Sequence, residues 1–287
     1  MDRRIIELYD EYTHKPLERR VFMRRLAALT GSTAAAFALL PALENNYAQA
    51  AIVDPGDARV SAGMINYPGA SGALRAYLAT PRSGPAKRAG VIVIHENRGL
   101  NAHIEDVARR LAVAGFTAMA PDLLSPLGGT PPDEDTARSL MARVDRVVAV
   151  RDLVAAVPFL KGRPDSNGKV GAVGFCWGGG MTNQLAANAP DLDAAVPFYG
   201  DTLTSQEAAN IKASLMLHYA GNDKRINAGV PSFEAALKAA GVRYELYNYD
   251  NVEHAFHNDT AGSRYNKEAA ELAWSRTIAF LKKNLGG

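Results

Sequence analysis

Val170-Gly171-Ala172-Val173-Gly174-Phe175-Cys176-Trp177-Gly178-Gly179-Gly180 passes directly from a short apolar run into the glycine-rich start of a helical pattern. A continuous run of this kind reads as a strand covered on both faces. The spacing Gly-x-Cys-x-Gly then sets one reactive side chain on a sharp strand-to-helix turn, and the small flanking residues let strand and helix close on each other. A sulfur at a helix N-terminus is favoured as thiolate, because the helix dipole and free N–H groups stabilise negative charge. Cys176 is the only cysteine in the chain, and a lone cysteine is most often a small buried apolar residue. Its position between strand and helix marks it instead as a nucleophile.

The same alternation extends outward from this turn. Residues 74–79, 91–94, 117–120, 170–175, 194–198, 215–219 and 244–249 read as strands, and residues 104–114, 136–160, 179–189, 231–240 and 267–285 carry helical spacing of apolar side chains. Strands and helices in alternation predict an α/β fold, a mostly parallel central sheet with helices on both faces, with ligands at the carboxyl ends of the strands. The Pro/Gly-rich residues 125–132 read as a loop near the mouth of the site.

In this topology a nucleophile is followed by an acid and then a histidine. Asp223 follows a predicted strand in Ala220-Gly221-Asn222-Asp223, and His254 follows the last one in Asp250-Asn251-Val252-Glu253-His254. Each would be ordinary turn chemistry alone, but together they complete the order. The loop His95-Glu96-Asn97-Arg98-Gly99-Leu100 lies after an early strand, where such folds donate an oxyanion-binding amide. The predicted donors are the Asn97 and Trp177 backbone N–H groups. A buried Glu96 carboxylate beside the thiol would have a raised pKa and take its proton. Tyr199, at a strand end, is a candidate pocket residue.

The 287 residues are 47% hydrophobic, enough for a sizeable core, and carry 32 basic against 30 acidic side chains. No basic stripe with interleaved aromatics is present, which argues against a nucleic-acid partner. One cysteine excludes an internal disulfide and a cysteine-rich metal site. Near the N-terminus, Arg19-Arg20-Val21-Phe22-Met23-Arg24 looks like a twin-arginine export signature. A weakly apolar stretch over 26–43 and a small-residue Ala48-Gln49-Ala50 follow it. Residues 1–50 therefore read as a leader before a domain over 51–287, with a periplasmic or secreted product and no stable membrane span after processing. The alternative is a pair of helices, over 5–12 and 21–40, that stay attached and pack on the domain of a cytoplasmic protein.

With these motifs in place, the chain from about Val60 onward resembles the dienelactone hydrolase (carboxymethylenebutenolidase) family of the α/β-hydrolase superfamily. Residues 166–179 carry most of the likeness, together with Phe198-Tyr199-Gly200, Asn222-Asp223 and His254-Ala255-Phe256. The resemblance implies lactone or ester hydrolysis of a small molecule without metal or organic cofactor. It makes Cys176 the nucleophile, Asp223 and His254 its partners, and Glu96 the acid that holds the resting thiol. Where family members acting on the dienelactone carry an arginine shortly after the histidine, this chain has Asn258, with His257 beside it. Arg138 is the candidate for a second family arginine upstream of the nucleophile, and Arg98 would replace the missing charge from the other side. A non-catalytic binding protein on the same fold, and a peptidase or acyltransferase, are the rival readings.

Overall fold

The structure is a computed structural model and describes residues 1–15, 17–46 and 52–286. Its sheet has eight strands, β1 (Val60–Gly69), β2 (Gly72–Pro81), β3 (Arg88–Ile94), β4 (Thr117–Pro121), β5 (Ser166–Phe175), β6 (Ala194–Phe198), β7 (Ser214–Ala220) and β8 (Tyr244–Tyr249), in the order β1-β2-β4-β3-β5-β6-β7-β8. The first two pairings, β1 with β2 and β2 with β4, are antiparallel, and all others are parallel. This is the α/β-hydrolase arrangement.

The apolar run of β3 shows why helices cover both faces. Val91 and Val93 pack into one core with Ile104, Val107 and Leu111 of α4 (Ala102–Val113) and Phe280 and Leu281 of the C-terminal helix (Lys267–Leu285). Ile92 and Ile94 point the other way, onto Leu153 and Val157 of α6 (Arg146–Lys161) and Leu185 of α7 (Trp177–Asn188). Side chains alternate across a strand, so a continuous apolar run buries both faces.

Two elements differ from expectation. β1 was not expected as a strand, because only Val60 and Tyr67 of its ten residues are buried. As an edge strand it needs little apolar surface and is held by its ladder to β2. The helical pattern over 136–160 splits into α5 (Glu134–Met141) and α6, since Asp145 caps α6 by accepting from the Val147 and Val148 N–H groups. The break leaves Ala142, Val144 and Arg146 on the wall of the main cavity.

The N-terminal residues form α1 (Arg3–His14), α2 (Arg19–Thr30) and α3 (Thr33–Leu39), with their own core of Tyr9, Tyr12, Phe22, Leu26 and Leu40. This unit docks on the domain: Arg138 Nη1 donates to Tyr12 O (2.6 Å), Asn97 Nδ2 donates to Thr13 O (2.7 Å), and Arg225 pairs with Asp10 (3.4 Å). Arg19 of the arginine pair makes an ion pair with Asp135. No single helix among the described residues is long and apolar enough to cross a membrane; α2 with residues 33–42 passes only as a pair bent by 105°. The expected processing motif at Ala48-Gln49-Ala50 lies outside the described residues.

Candidate active site

Cys176 follows the end of β5 as the N-cap of α7, at φ 55° and ψ −118°. A non-glycine residue at that φ is strained, and surrounding packing must hold it there. The holding is visible at the flanking glycines. A Cβ on Gly174 would lie 2.2 Å from Gly178 O, and one on Gly178 would lie 2.3 Å from Ile94 O and 2.4 Å from His95 O. The elbow thus presses against the exit of β3, where the loop bearing Glu96 and Asn97 begins. Trp177, the first residue of α7, stacks on His95 with ring centroids 5.7 Å apart. Its backbone N–H belongs to the helix's first turn, which has no intrahelical acceptor.

Asp223 and His254 meet as expected: His254 Nδ1 is 2.5 Å from Asp223 Oδ2, while Asp223 Oδ1 accepts from Ile226 N–H. Burial works against charge on His254, but the Asp223 carboxylate and then Cys176 outweigh it and raise the ring to about 9. Burial likewise opposes the Asp223 carboxylate, yet the His254 charge and hydrogen bond pull it below the usual range. His254 Nε2 is buried without a hydrogen-bond partner among the described residues, and a nitrogen of this ring lies within 4.8 Å of Cys176 Sγ. The loop carrying His254 is tied back to α4 by Asp259, which pairs with His103 (2.8 Å) and Arg110 (3.1 Å). Burial pushes the Asp259 carboxyl up, but these two partners hold it down at about 2.

The contact that sequence reading missed is on Cys176 itself. Its hydrogen-bond partner is His14 of α1, with Nε2 at 3.1 Å from Sγ, and not Glu96. His14 Nδ1 in turn lies 3.0 Å from Asp10 Oδ1. The spacing of Asp10 and His14, one helical turn apart, was the only signal available, and nothing in it says what the ring faces. Burial works against the Asp10 carboxylate, but the hydrogen bond and charge of His14 draw it far below its ordinary range.

Glu96 is buried and bound elsewhere: Asn258 Nδ2 donates to its Oε2 at 2.7 Å. The residue at the expected clamp position therefore orients Glu96. Tyr199 lines the main cavity at φ 37° and packs on His254 with ring centroids 4.9 Å apart. Burial, followed by the negative charges of Glu96 and Cys176, pushes its phenol well above the usual range.

Two expected substrate contacts lie off the main cavity. His257 is 1% exposed and stacks on Phe175, with centroids 5.0 Å apart. It is an aromatic-core residue, kept neutral first by burial and then by Arg110. Arg98 is buried against Glu134 and Asn97, and borders a small hollow of about 20 Å³ beneath α1 that Cys176 and His254 also line, not the main cavity. The loop over 125–132 also misses the cavity wall. Instead Thr130 and Asp122 brace the Gly99-Leu100 turn, through Leu100 N–H donating to Thr130 Oγ1 and Thr130 Oγ1 donating to Asp122. Arg138 does reach the cavity, although its guanidinium stacks on the Tyr12 ring at 4.0 Å.

The main cavity, about 850 Å³, opens from Cys176, Trp177, Asn97 and His254 outward. α1 forms one wall through Thr13 and His14, and Arg138, Arg146 and Arg225 bring positive charge to the others. Such a concave site, with a strained cysteine at a helix N-terminus and a carboxylate-backed imidazole beside it, is equipped for nucleophilic chemistry.

Comparison with known proteins agrees with this architecture. Residues 74–285 match the Dienelactone hydrolase family. A Methylorubrum extorquens protein named "Putative carboxymethylenebutenolidase" is 32% identical over 281 residues, covering 91% of this chain and 94% of that protein. One of the same name from Saccharolobus solfataricus is 34% identical over 248 residues, 73% of this chain and 94% of that protein. Among solved structures, a dienelactone hydrolase-like promiscuous phosphotriesterase from metagenomic libraries superimposes with a TM-score of 0.71 at 26% identity, over 79% of this chain and 100% of that one. With fold, motif order and relatives in agreement, this chain belongs to the dienelactone hydrolase family and is a hydrolase of that family.

Proposed function

We propose that this protein hydrolyses small carboxylic esters or lactones through a thioester on Cys176, with His254 and Asp223 completing the triad. The observation that carries this reading is the carboxylate-backed His254, buried beside a cysteine on a strained strand-to-helix turn. In the first step the Cys176 thiolate attacks the carbonyl carbon. The developing oxyanion is received by the Asn97 and Trp177 backbone N–H groups. The His254 imidazolium gives its proton to the alkoxide as it leaves. Acylation removes the negative charge on sulfur, one of the influences that hold the ring near 9, so His254 stays neutral after giving up its proton and is available to take one from the water that cleaves the thioester.

The arginines at the cavity wall support a substrate that carries a carboxylate. Asn258 is bound to Glu96, so the anion would be received across the cavity by Arg146 and Arg225, whose pairing with Asp201 is loose at 3.7 Å each. The test is turnover of a panel of dienelactone, simple lactones, neutral p-nitrophenyl esters and a phosphotriester, with mass spectrometry of protein quenched during turnover of a slow ester. An acyl adduct on the Cys176 peptide and a preference for the anionic lactone are expected. Turnover of an ester without any adduct, under conditions where deacylation limits, would reject the covalent route.

The pH profile is a second expected outcome. The proton on His254 is present below pH about 9 and lost above it. Acylation needs that proton, so kcat/KM should fall about tenfold per unit as pH rises through about 9. In Asp223→Asn the same limb should move toward lower pH, because the Asp223 charge is the largest of the effects that raise the ring. An alkaline limb that stays put in this variant would detach it from His254.

A further inference from the structure

Cys176 stands between two imidazoles, and each imidazole is backed by a carboxylate. His14 presents Nε2 to Sγ at 3.1 Å with Nδ1 against Asp10, and His254, with Nδ1 against Asp223, has a buried Nε2 that finds no hydrogen-bond partner among the described residues. The rings meet edge to face, 4.7 Å between centroids, and one nitrogen of each ring and Sγ all lie within 4.8 Å of one another. A hydrolytic triad uses one of these rings and leaves the other without a role. Two histidines that turn Nε2 toward a common point, each fixed at Nδ1 by a carboxylate, are oriented as metal-ligating histidines are. The carboxylate selects the tautomer and strengthens Nε2 as a donor.

We propose that His14, Cys176 and His254 form a binding site for a zinc-class divalent cation, and that its occupancy switches hydrolysis off. The second clause rests on the function proposed above, whereas the first stands on geometry alone. One thiolate and two imidazoles favour Zn²⁺ or Co²⁺ over the hard, oxygen-seeking Mg²⁺ and Ca²⁺. Bonds of about 2.0–2.1 Å to nitrogen and about 2.3 Å to sulfur require the donors to sit roughly 3.3–3.7 Å apart in a tetrahedron. The widest separation therefore has to close by about an ångström, which side-chain rotation of His14 or His254 supplies. The fourth position opens to the cavity that all three residues line, where water completes the shell.

Binding displaces the thiol proton and any proton on either Nε2 to solvent, and three lone pairs pass to the cation with no change of oxidation state. Two of them, on Sγ and on His254 Nε2, are the pairs that the proposed reaction uses for attack and for activating water. Metal binding and acyl transfer thus exclude each other. The site also requires α1: without residues 3–14 only two ligands remain. Attachment of the N-terminal helices then decides whether the enzyme responds to metal.

The test titrates the full-length protein with Co²⁺ and follows the near-ultraviolet thiolate-to-cobalt band together with the visible bands of a four-coordinate ion. Saturation at a single equivalent, displacement by Zn²⁺, and inhibition of ester hydrolysis by Zn²⁺ that a chelator reverses are expected. Cys176→Ala should lose the charge-transfer band. His14→Ala should weaken binding by at least about a hundredfold, and the milder Asp10→Asn by about 10–100-fold. Absence of the band at millimolar Co²⁺, or unchanged affinity in both His14→Ala and Asp10→Asn, would overturn the site. Cobalt binding in a protein that turns over no ester would keep the site and sink the hydrolase reading, and Zn²⁺ binding without inhibition would overturn the switch.

Discussion

Cys176→Ala is expected to lower kcat for any ester substrate by about 10⁴-fold or more, to the level that binding and the oxyanion amides alone supply. The substitution removes the sulfur proposed to attack, together with its hydrogen bond to His14 Nε2. Alanine keeps a Cβ, so the strain of φ 55° is the same before and after, and the glycine contacts on either side of the elbow are untouched. Cys176 is 6% exposed, and deleting one buried sulfur should cost about 1 kcal/mol, a shift of roughly 2–4 °C in Tm for a chain of this size. Steady-state kinetics and a thermal melt on the same preparation separate the two effects. A variant that folds and keeps more than about a tenth of wild-type kcat would mean that the sulfur is not the nucleophile.

Gly178→Ala should damage both the fold and the chemistry, although alanine has about 1 kcal/mol better helix propensity than glycine. The new methyl would sit 2.3 Å from Ile94 O and 2.4 Å from His95 O, and both are backbone atoms at the end of a central strand. Neither can rotate away, so helix and strand must part. Overpacking of this kind costs about 1–3 kcal/mol, which offsets the propensity gain and leaves net destabilisation. The displacement also separates the Asn97 amide from the Trp177 amide and Cys176. A misplacement near 1 Å is worth about a hundredfold in rate, so kcat should fall on that order even in the folded fraction. Gly180→Ala is the control. Its Cβ would meet Asp201 Cβ and Asp201 N at 3.3 Å, about an ångström farther than the Gly178 contacts, so only a small shift is needed and this variant should lose much less in kinetics and Tm than Gly178→Ala. If both variants melt and turn over alike, the close approach at Gly178 does not set the site geometry.

Much of this molecule was legible before folding, and it was the local part. The apolar run of β5, the glycines around Cys176, and the order of Cys176, Asp223 and His254 after successive strands report backbone conformation within a few residues, and the structure brings these three to one end of the sheet. Burial was legible only as an average along each element. The sequence alone could not tell that His257 turns into the aromatic core while His254 beside it turns to the site, because the backbone reversal at Ala255, φ 69°, separates their directions. Nor could it show that Asn258 would hold Glu96, or that Arg98 would be buried against Glu134.

The pairing of His14 with Cys176 joins residues 162 apart, on a segment whose composition suits a leader as well as a helical cap. Periodicity and spacing determined the α/β fold and the positions of Cys176, Asp223 and His254 after successive strands, since both are properties of short stretches of chain. What each side chain touches was decided by the docking of distant elements. That docking depends on the shape and polarity of two surfaces at once, and no single stretch of sequence contains both.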